Sequence, residues 1–236
     1  MTWRRWIVVA WILALLAHHL LAGPTESGIA PGMRTVDVPS PEGSIRIAYY
    51  DENPDAGVAV LLLHGSPGAA HNFDQLRAHL PDSLRVVMPD LPGFGGSTRT
   101  LEDYSFSRHA ADMLALMDAL ALPSSHLVGM SMGGGVALEM ARLAPERVRS
   151  ITLLSSIGLQ EHELTGDYWT NRFLHVVQTG TIWIIDHLVP HLGRLDSGGQ
   201  ARSYARNFLD SDQRILRDTL LRWSGPTLIV HGEQDF

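Results

Sequence analysis

Two hydrophobic patterns alternate along the middle of this chain. Short continuous apolar runs, each ending in residues rich in glycine, proline or serine, are typical of strands buried on both faces of a sheet. The run over 58–63 is uninterrupted and 84–88 predicts a second buried strand, while further strands are predicted over 126–129, 148–155 and 226–230. Between them, apolar residues recur at helical spacing, most clearly over 110–122 and 136–143. This alternation predicts an α/β fold in which helices wrap a mostly parallel sheet.

An antiparallel hairpin is predicted ahead of the first buried strand. Apolar and polar residues alternate over 35–38 and again over 44–50, which is the pattern of strands with one buried face. Turn-forming residues at 41–43 separate the two runs. After the first buried strand, the apolar positions of 73–80 predict one face of a helix.

Residues 159–222 depart from this rhythm. Their apolar residues follow helical spacing, which predicts a helical lid inserted into the sheet domain. The aromatic stripe from Trp169 to Trp183 is expected to form the core of that lid, with an inner face that lines a pocket for a hydrophobic substrate. The chain then divides into four parts. These are a leader and linker (1–30), the first part of the core (31–158), the lid (159–222) and the second part of the core (223–236).

The N-terminal region predicts an export or anchoring segment. Arg4 and Arg5 precede a run over 6–22 that carries no formal charge. This run is at the lower length limit for a membrane span and slightly longer than a typical signal-peptide core. Because small residues suited to cleavage are poorly placed after it, we expect an uncleaved membrane anchor that leaves the remaining chain outside the cytoplasm. A linker over 23–32 follows.

Composition narrows the possible chemistry. The formal net charge of −7 argues against nucleic acid as a partner. The chain has no cysteine, which excludes thiol nucleophiles, disulfides and thiolate metal sites. All 18 basic residues are arginine, and the lack of lysine excludes Schiff bases and serine–lysine dyads. Serine, histidine and carboxylate chemistry remains.

The sequence Gly129-Met130-Ser131-Met132-Gly133 follows one buried strand and precedes a predicted helix. A serine hydroxyl is a weak nucleophile, so catalysis requires it to stand clear of its neighbours, near a base and near N–H donors. Glycine at both flanking positions permits a very sharp turn, and the following helix directs its positive end toward a developing oxyanion. Small residues in this order also occur by chance in glycine-rich loops. The strand and helix around the turn favour Ser131 as a nucleophile.

Four motifs in order resemble the α/β-hydrolase family, and the resemblance extends from about Met33 to the end. They are His64-Gly65-Ser66-Pro67-Gly68, Asp90-Leu91-Pro92-Gly93-Phe94-Gly95, the Ser131 turn and Gly232-Glu233-Gln234-Asp235. The family orders its triad as nucleophile, acid and histidine. The resemblance therefore implies Ser131 as nucleophile and Asp235 as the acid that orients the base. It also implies an oxyanion hole formed by the backbone N–H groups of Ser66 and Met132. No cofactor or metal is expected.

The sequence departs from the family at the catalytic base. All 12 histidines precede Asp235, whereas the family's catalytic histidine follows its acid. Two explanations stay open: the sequence is a fragment of a longer protein, which we favour, or a histidine of the predicted lid substitutes. The substitutes are His162, His175, His187 and His191. Pro190 interrupts the metal-like spacing of the last two, so we expect no zinc site there.

Three other polar residues near the motifs are expected to be structural. His64 is predicted to brace its loop rather than act as base, and Asp90 to stabilise the turn that follows it. His231 is predicted to pack at the end of its strand.

The expected function is a serine hydrolase that cleaves carboxylic esters, or amides, of a hydrophobic small molecule through an acyl-enzyme. Serine rather than aspartate at the nucleophile position disfavours the haloalkane dehalogenase and epoxide hydrolase branches, which resemble this fold. Carbon–carbon bond hydrolysis, which uses the same serine, stays an alternative. So does a non-catalytic binding module that keeps the scaffold and the pocket.

Overall fold

One mixed seven-stranded sheet organises the computed structural model, which describes residues 3–21, 28–158, 166–191 and 200–233. The strands are β1 (Arg34–Ser40), β2 (Gly43–Glu52), β3 (Val58–Leu63), β4 (Leu84–Pro89), β5 (Ser125–Met130), β6 (Val148–Leu154) and β7 (Thr227–Val230). Their spatial order is β1-β2-β4-β3-β5-β6-β7. The hairpin β1–β2 is antiparallel and β2 pairs antiparallel with β4, whereas β3 to β7 run parallel. The sheet is mostly parallel, as the sequence predicts.

Helices flank this sheet. Those in the described residues are α1 (Trp3–Leu21), α2 (Asp74–Arg77), α3 (Phe106–Ala119), α4 (Met132–Leu143), α5 (Tyr168–Leu188), α6 (Gln200–Asp210) and α7 (Arg214–Arg222). Short 3-10 turns occupy Ala70–Phe73 and Pro145–Arg147. The helices α5, α6 and α7 are inserted between β6 and β7. The structure describes three helices in this segment, and their role as a lid stays a prediction.

Helix boundaries differ from the sequence prediction at α3. The helix begins at Phe106 because the Ser105 hydroxyl accepts a hydrogen bond from the backbone N–H of Arg108 and so caps the first turn. It ends at Ala119, and Ala121 adopts a φ of 53°, which no helix continues. The prediction placed the start four residues too late and the end three residues too late, because apolar spacing marks the buried face and not the cap.

The core has two parts, one on each face of the sheet. On β3, Leu61 and Leu63 point into the larger cluster, which includes residues from α3 and α4. Val60 and Leu62 point into the smaller cluster on the opposite face, where Phe73 also packs. Since successive side chains of a strand alternate between faces, β3 must be apolar at every position. Its uninterrupted apolar run is therefore a consequence of its central position.

Two sequence expectations about packing are wrong. The stripe from Trp169 to Trp183 does not form a helical core, since Trp169, Phe173 and Trp183 are 71%, 65% and 54% exposed. Helical spacing shows which residues share a face but not whether that face points inward. His231, expected to pack at the end of β7, is exposed, as are all four residues of β7.

The N-terminal helix α1 is apolar and largely exposed along its length. None of the helices in the described part of the chain combines the length and the apolar character that crossing a membrane requires.

Candidate active site

Ser131 stands at a sharp bend between β5 and α4. Its φ is 50° and its ψ is −118°, a backbone conformation that residues with a side chain rarely adopt. Such strain persists only where the surroundings enforce it, and it concentrates at functional sites. A methyl group on Gly129 would overlap the carbonyl oxygen of Gly133, and one on Gly133 would overlap that of Leu63. The two glycines are therefore what allows the bend to form.

Hydrogen bonds from several directions hold the backbone of Ser131. Its N–H donates to the carbonyl of Leu154 over 3.1 Å, and its own carbonyl accepts from the N–H groups of Gly134 and Ile157 over 3.0 and 3.3 Å. The side chain is half-buried. Since α4 begins at the next residue, the serine lies at the positive end of a helix that is buried over nearly its whole length. The arrangement suits a nucleophile that develops an oxyanion beside it.

The 64–68 loop, which follows β3, lies directly against Ser131. A methyl group built on Gly65 would be 3.1 Å from Cβ of Ser131 and 3.7 Å from its Oγ. Ser66 is the next residue of this loop, and Met132 is the first residue of α4. The structure therefore places Met132 directly after Ser131 and the loop that contains Ser66 against Ser131. The role of the two backbone N–H groups as oxyanion donors stays a prediction.

His64 joins the 64–68 loop to the loop after β4. The backbone N–H of Leu91 donates to Nε2 of His64 over 2.9 Å, so Nε2 carries no proton. The proton is on Nδ1, which donates to the carbonyl of Gly65 over 2.6 Å. Complete burial lowers the pKa of His64 to about 4, so the ring is neutral near pH 7. His64 braces the loop, as predicted from the sequence.

Asp90 supports the same region through its buried carboxylate. Oδ1 accepts from the backbone N–H of Ala70 over 2.7 Å, and Oδ2 accepts from that of Gly96 over 2.8 Å. The Asp90 carbonyl also accepts from the Ser97 hydroxyl over 2.6 Å. These bonds satisfy a buried charge and fix the two loops that approach the bend. The expected structural role of Asp90 agrees with these contacts.

A second buried histidine, His109, lies in the first turns of α3. Neither of its ring nitrogens has a hydrogen-bond partner among the described residues. Burial, and to a smaller extent the nearby His64 and Arg108, lowers the pKa of His109 to about 3. His109 is therefore a neutral core residue at ordinary pH.

The segment after β6 was not predicted to belong to the site. Ile157 donates its N–H to the Ser131 carbonyl, and a methyl group on Gly134 would overlap Ser156. A methyl group on Gly135 would crowd Ile157 and Phe106. Ser156 and Ile157 thus pack beneath and beside the bend. Ser156 and Ile157 follow β6, which is the neighbour of β5 in the sheet. Because neighbouring parallel strands end at the same edge of a sheet, this position could have indicated that the two residues lie near Ser131.

Asp235, the predicted acid, and His162 lie outside the described residues. The other histidines considered as substitute bases sit among the helices. His175 stacks on Phe208 of α6, with ring centroids 5.3 Å apart. His187 and His191 lie beside α1, where the rings of His191 and His18 are 4.4 Å apart. Among the described residues, no group of three or more histidine or carboxylate side chains is arranged to hold a metal ion.

Comparisons with known proteins agree with the fold. A family model described as "alpha/beta hydrolase fold" matches residues 58–212. The chain is 35% identical over 152 residues to the dihydrolipoyllysine-residue acetyltransferase component of the acetoin cleaving system of Pseudomonas putida, covering 64% of this chain and 40% of that protein. It is 39% identical over 119 residues to 2-hydroxymuconate semialdehyde hydrolase of Pseudomonas sp. strain CF600, covering 49% and 41% respectively.

The match to each of these curated relatives thus spans about two fifths of the relative's length, 40% and 41%. Among solved structures, the chain is similar to a thermophilic esterase from Thermogutta terrifontis, with a TM-score of 0.61 and 23% identity over 85% of this chain and 80% of the other. A likeness at that identity concerns the fold.

Proposed function

Since this chain belongs to the α/β-hydrolase fold family, we propose that it is a serine hydrolase that cleaves carboxylic esters, or amides, through an acyl-enzyme on Ser131. The observation that carries the proposal is the bend at Ser131. A serine with a φ of 50° stands at the start of α4, in contact with the 64–68 loop. The sheet does not require a serine at this position, so the strained backbone of Ser131 points to a functional role.

In the proposed reaction, Oγ of Ser131 attacks the carbonyl carbon while its proton passes to a general base. The carbonyl oxygen becomes negative, and the backbone N–H groups of Met132 and Ser66 are the proposed donors to it. The base returns the proton to the leaving alcohol or amine as the bond to the acyl group breaks. Water then releases the acid and restores the serine.

His64 is not suited to act as that base. Both of its ring nitrogens are engaged in hydrogen bonds within the loops, and its pKa is lowered to about 4. A general base works best when its pKa lies near the working pH. By resemblance to the family, Asp235 is proposed to orient a histidine elsewhere.

Apolar side chains beside the bend support a hydrophobic acyl group. Phe106 and Ile157 meet at Gly135, one helical turn after Ser131. Phe106 is buried in the core, whereas Ile157 is half-buried, so Ile157 is the apolar side chain proposed to contact the acyl group.

Labelling by a fluorophosphonate probe tests the proposal, because the probe reacts only with an activated serine. The full-length natural protein is expected to be labelled, and Ser131→Ala to abolish labelling. Ser124→Ala is a matched control at the opposite end of β5 and should be labelled like the wild type. A wild-type protein with an intact circular dichroism spectrum and no labelling would contradict the proposal and favour a binding module.

A second candidate is the hydrolysis of a carbon–carbon bond. The observation that favours it is the 39% identity to 2-hydroxymuconate semialdehyde hydrolase. The two activities are separated by comparing p-nitrophenyl ester cleavage with the loss of the visible absorbance of 2-hydroxymuconate semialdehyde. Ester cleavage without loss of the semialdehyde supports the first proposal, and the reverse result supports the second.

A further inference from the structure

Helix α5 carries its apolar residues on the outside. The side chains it buries are polar, namely Asn171 and His175. Its exposed residues are mostly apolar and include Trp169, Phe173, Leu174, Val176, Val177, Trp183, Ile184 and Leu188. A helix that faces water has the opposite arrangement, with its apolar stripe toward the core. The outer face of α5 is therefore suited to an apolar environment.

Helix α1 is exposed and apolar around its whole circumference. The consecutive residues Trp6, Ile7, Val8 and Val9 are 61%, 56%, 54% and 39% exposed. Because successive helical positions are about 100° apart, four in a row cover every side of the helix. A groove on a protein partner covers one stripe of a helix, whereas an acyl-chain environment surrounds it.

The two helices are joined at their C-terminal ends. Nε2 of His18 lies 3.0 Å from the carbonyl oxygen of Asp186, and Nε2 of His19 lies 3.2 Å from that of His187. His18 is buried in this junction and its ring packs near His191. The exposed apolar residues of α1 and α5 thus belong to one connected surface, called the α1–α5 surface below.

Tryptophan placement and charge indicate what covers the α1–α5 surface. Five of the six tryptophans of the chain lie on these two helices, each between 43% and 71% exposed. Tryptophan is enriched where a protein meets the boundary between lipid and water, because its ring is apolar and its N–H is polar. Apart from Arg172, whose guanidinium donates to the carbonyl of Leu209, the two helices contain two arginines, Arg4 and Arg5, and one acidic residue, Asp186, in a chain of net charge −7. That balance is complementary to anionic headgroups.

We propose that the α1–α5 surface docks on a lipid bilayer, with both helices in contact with it. The inserted helix α5 is then part of the membrane contact as much as the N-terminal helix is. Exposed apolar patches of this extent mark interaction sites, and binding to a bilayer scales with the apolar area removed from water. The inference is independent of the proposed reaction, since it does not use Ser131.

The site lies on the side of the molecule that carries α5. His175 of α5 stacks on Phe208, whose ring is 6.4 Å from that of Phe106. Phe106 in turn approaches Gly135, one turn from Ser131. Contacts therefore run from the buried side of α5 to the bend.

Co-sedimentation with phosphatidylcholine–phosphatidylglycerol vesicles tests the inference on the full chain. The wild type is expected to sediment with the vesicles and its tryptophan emission to shift to the blue. The double substitution Phe173→Ser with Val177→Ser, at positions 65% and 47% exposed, is expected to weaken vesicle binding about tenfold or more. Leu221→Ser is the matched control, since Leu221 is 74% exposed on α7 and lies outside the surface.

Three results would overturn the inference. The first is a wild type that does not bind vesicles. The second is an unchanged affinity of the Phe173 and Val177 double variant, with binding lost only on Trp6→Ser with Val9→Ser, which would confine the contact to α1. The third is self-association in lipid-free buffer, abolished by the α5 substitutions and unaffected by vesicles, which would identify a second copy as the occupant. Because every substituted position is exposed, circular dichroism should show an unchanged fold in all variants.

Discussion

The backbone N–H of Leu91 donates a hydrogen bond to Nε2 of His64 over 2.9 Å, at the junction of two loops that approach Ser131. The bond requires a neutral ring with its proton on Nδ1. Protonation of Nε2 would break the bond and place a charge in a fully buried position. The loop beside the nucleophile is therefore held by a group that must stay uncharged.

Stability is expected to fall in acid because His64 and His109 resist protonation. Above pH 6.5, the usual histidine pKa, both rings are neutral in the folded and the unfolded chain, so their contribution is fully present. As pH falls, the unfolded chain takes up protons that the folded chain does not bind, until the folded pKa of about 4 for His64 and about 3 for His109 is reached. Each histidine should lower the free energy of unfolding by roughly 1.4 kcal/mol per pH unit in this window.

His109→Leu isolates one of these contributions, because His109 makes no hydrogen bond within the described residues that the substitution would break. Urea unfolding between pH 6.5 and pH 4 should show a pH slope shallower than that of the wild type by roughly 1.4 kcal/mol per unit. Parallel slopes for the two proteins would show that His109 titrates normally.

Gly65→Ala should impair the nucleophile without unfolding the protein. The added methyl would lie 3.1 Å from Cβ of Ser131 and 3.4 Å from the carbonyl oxygen of Met130, so the loop or the serine must shift by a few tenths of an ångström. Small displacements at a reacting atom are costly to the rate, and we expect fluorophosphonate labelling to slow by about tenfold or more. Gly57→Ala, with no atom within 4 Å of the new methyl, should be labelled at the wild-type rate.

Gly133→Ala and Gly180→Ala should change stability in opposite directions, although both glycines are helical. At Gly133 the methyl would overlap the backbone carbonyl of Leu63, which cannot move without disturbing β3, so a loss of about 3 kcal/mol or more is expected. At Gly180 in α5 the methyl meets no atom within 4 Å, and alanine should stabilise the helix by about 1 kcal/mol. Denaturant unfolding of both variants checks the pair, and equal effects would contradict the packing described for α4.

Asp90→Ala should destabilise the fold by about 3 kcal/mol. The substitution leaves the N–H groups of Ala70 and Gly96 without their charged acceptor in a buried setting. Asp82→Ala, at an exposed loop position, is the control and should stay within about 0.5 kcal/mol of the wild type in the same unfolding measurement. A neutral result for Asp90 would mean that water replaces its carboxylate.

Much of the fold could be predicted because its signals are local. The central strand β3 is recognisable from its continuous apolar run, and the hairpin β1–β2 from alternation around a turn. The bend at Ser131 is indicated by the two glycines that flank it, although the contact that forbids a side chain at Gly133 comes from Leu63 on β3. The helix start at Phe106 was missed, although Ser105 carries the capping hydroxyl that sets it.

The site was only partly predictable, since its remaining contacts join segments distant in sequence. The contact of Gly65 with Ser131 depends on β3 and β5 being neighbours in the sheet. The contribution of Ser156 and Ile157 depends on β6 lying beside β5. No periodicity within one segment contains this information.

By itself, the amino-acid sequence determined the order of strands and helices, the serine at the bend and the chemistry that the residue types permit. Steric limits and hydrophobic spacing act over a few residues, so they can be deduced from the chain alone. Only the tertiary structure decided which face of α5 points outward, which loops meet at Ser131 and that α1 joins α5 through His18 and His19. Those outcomes depend on how whole elements pack, and packing selects between faces that the spacing of residues leaves equivalent.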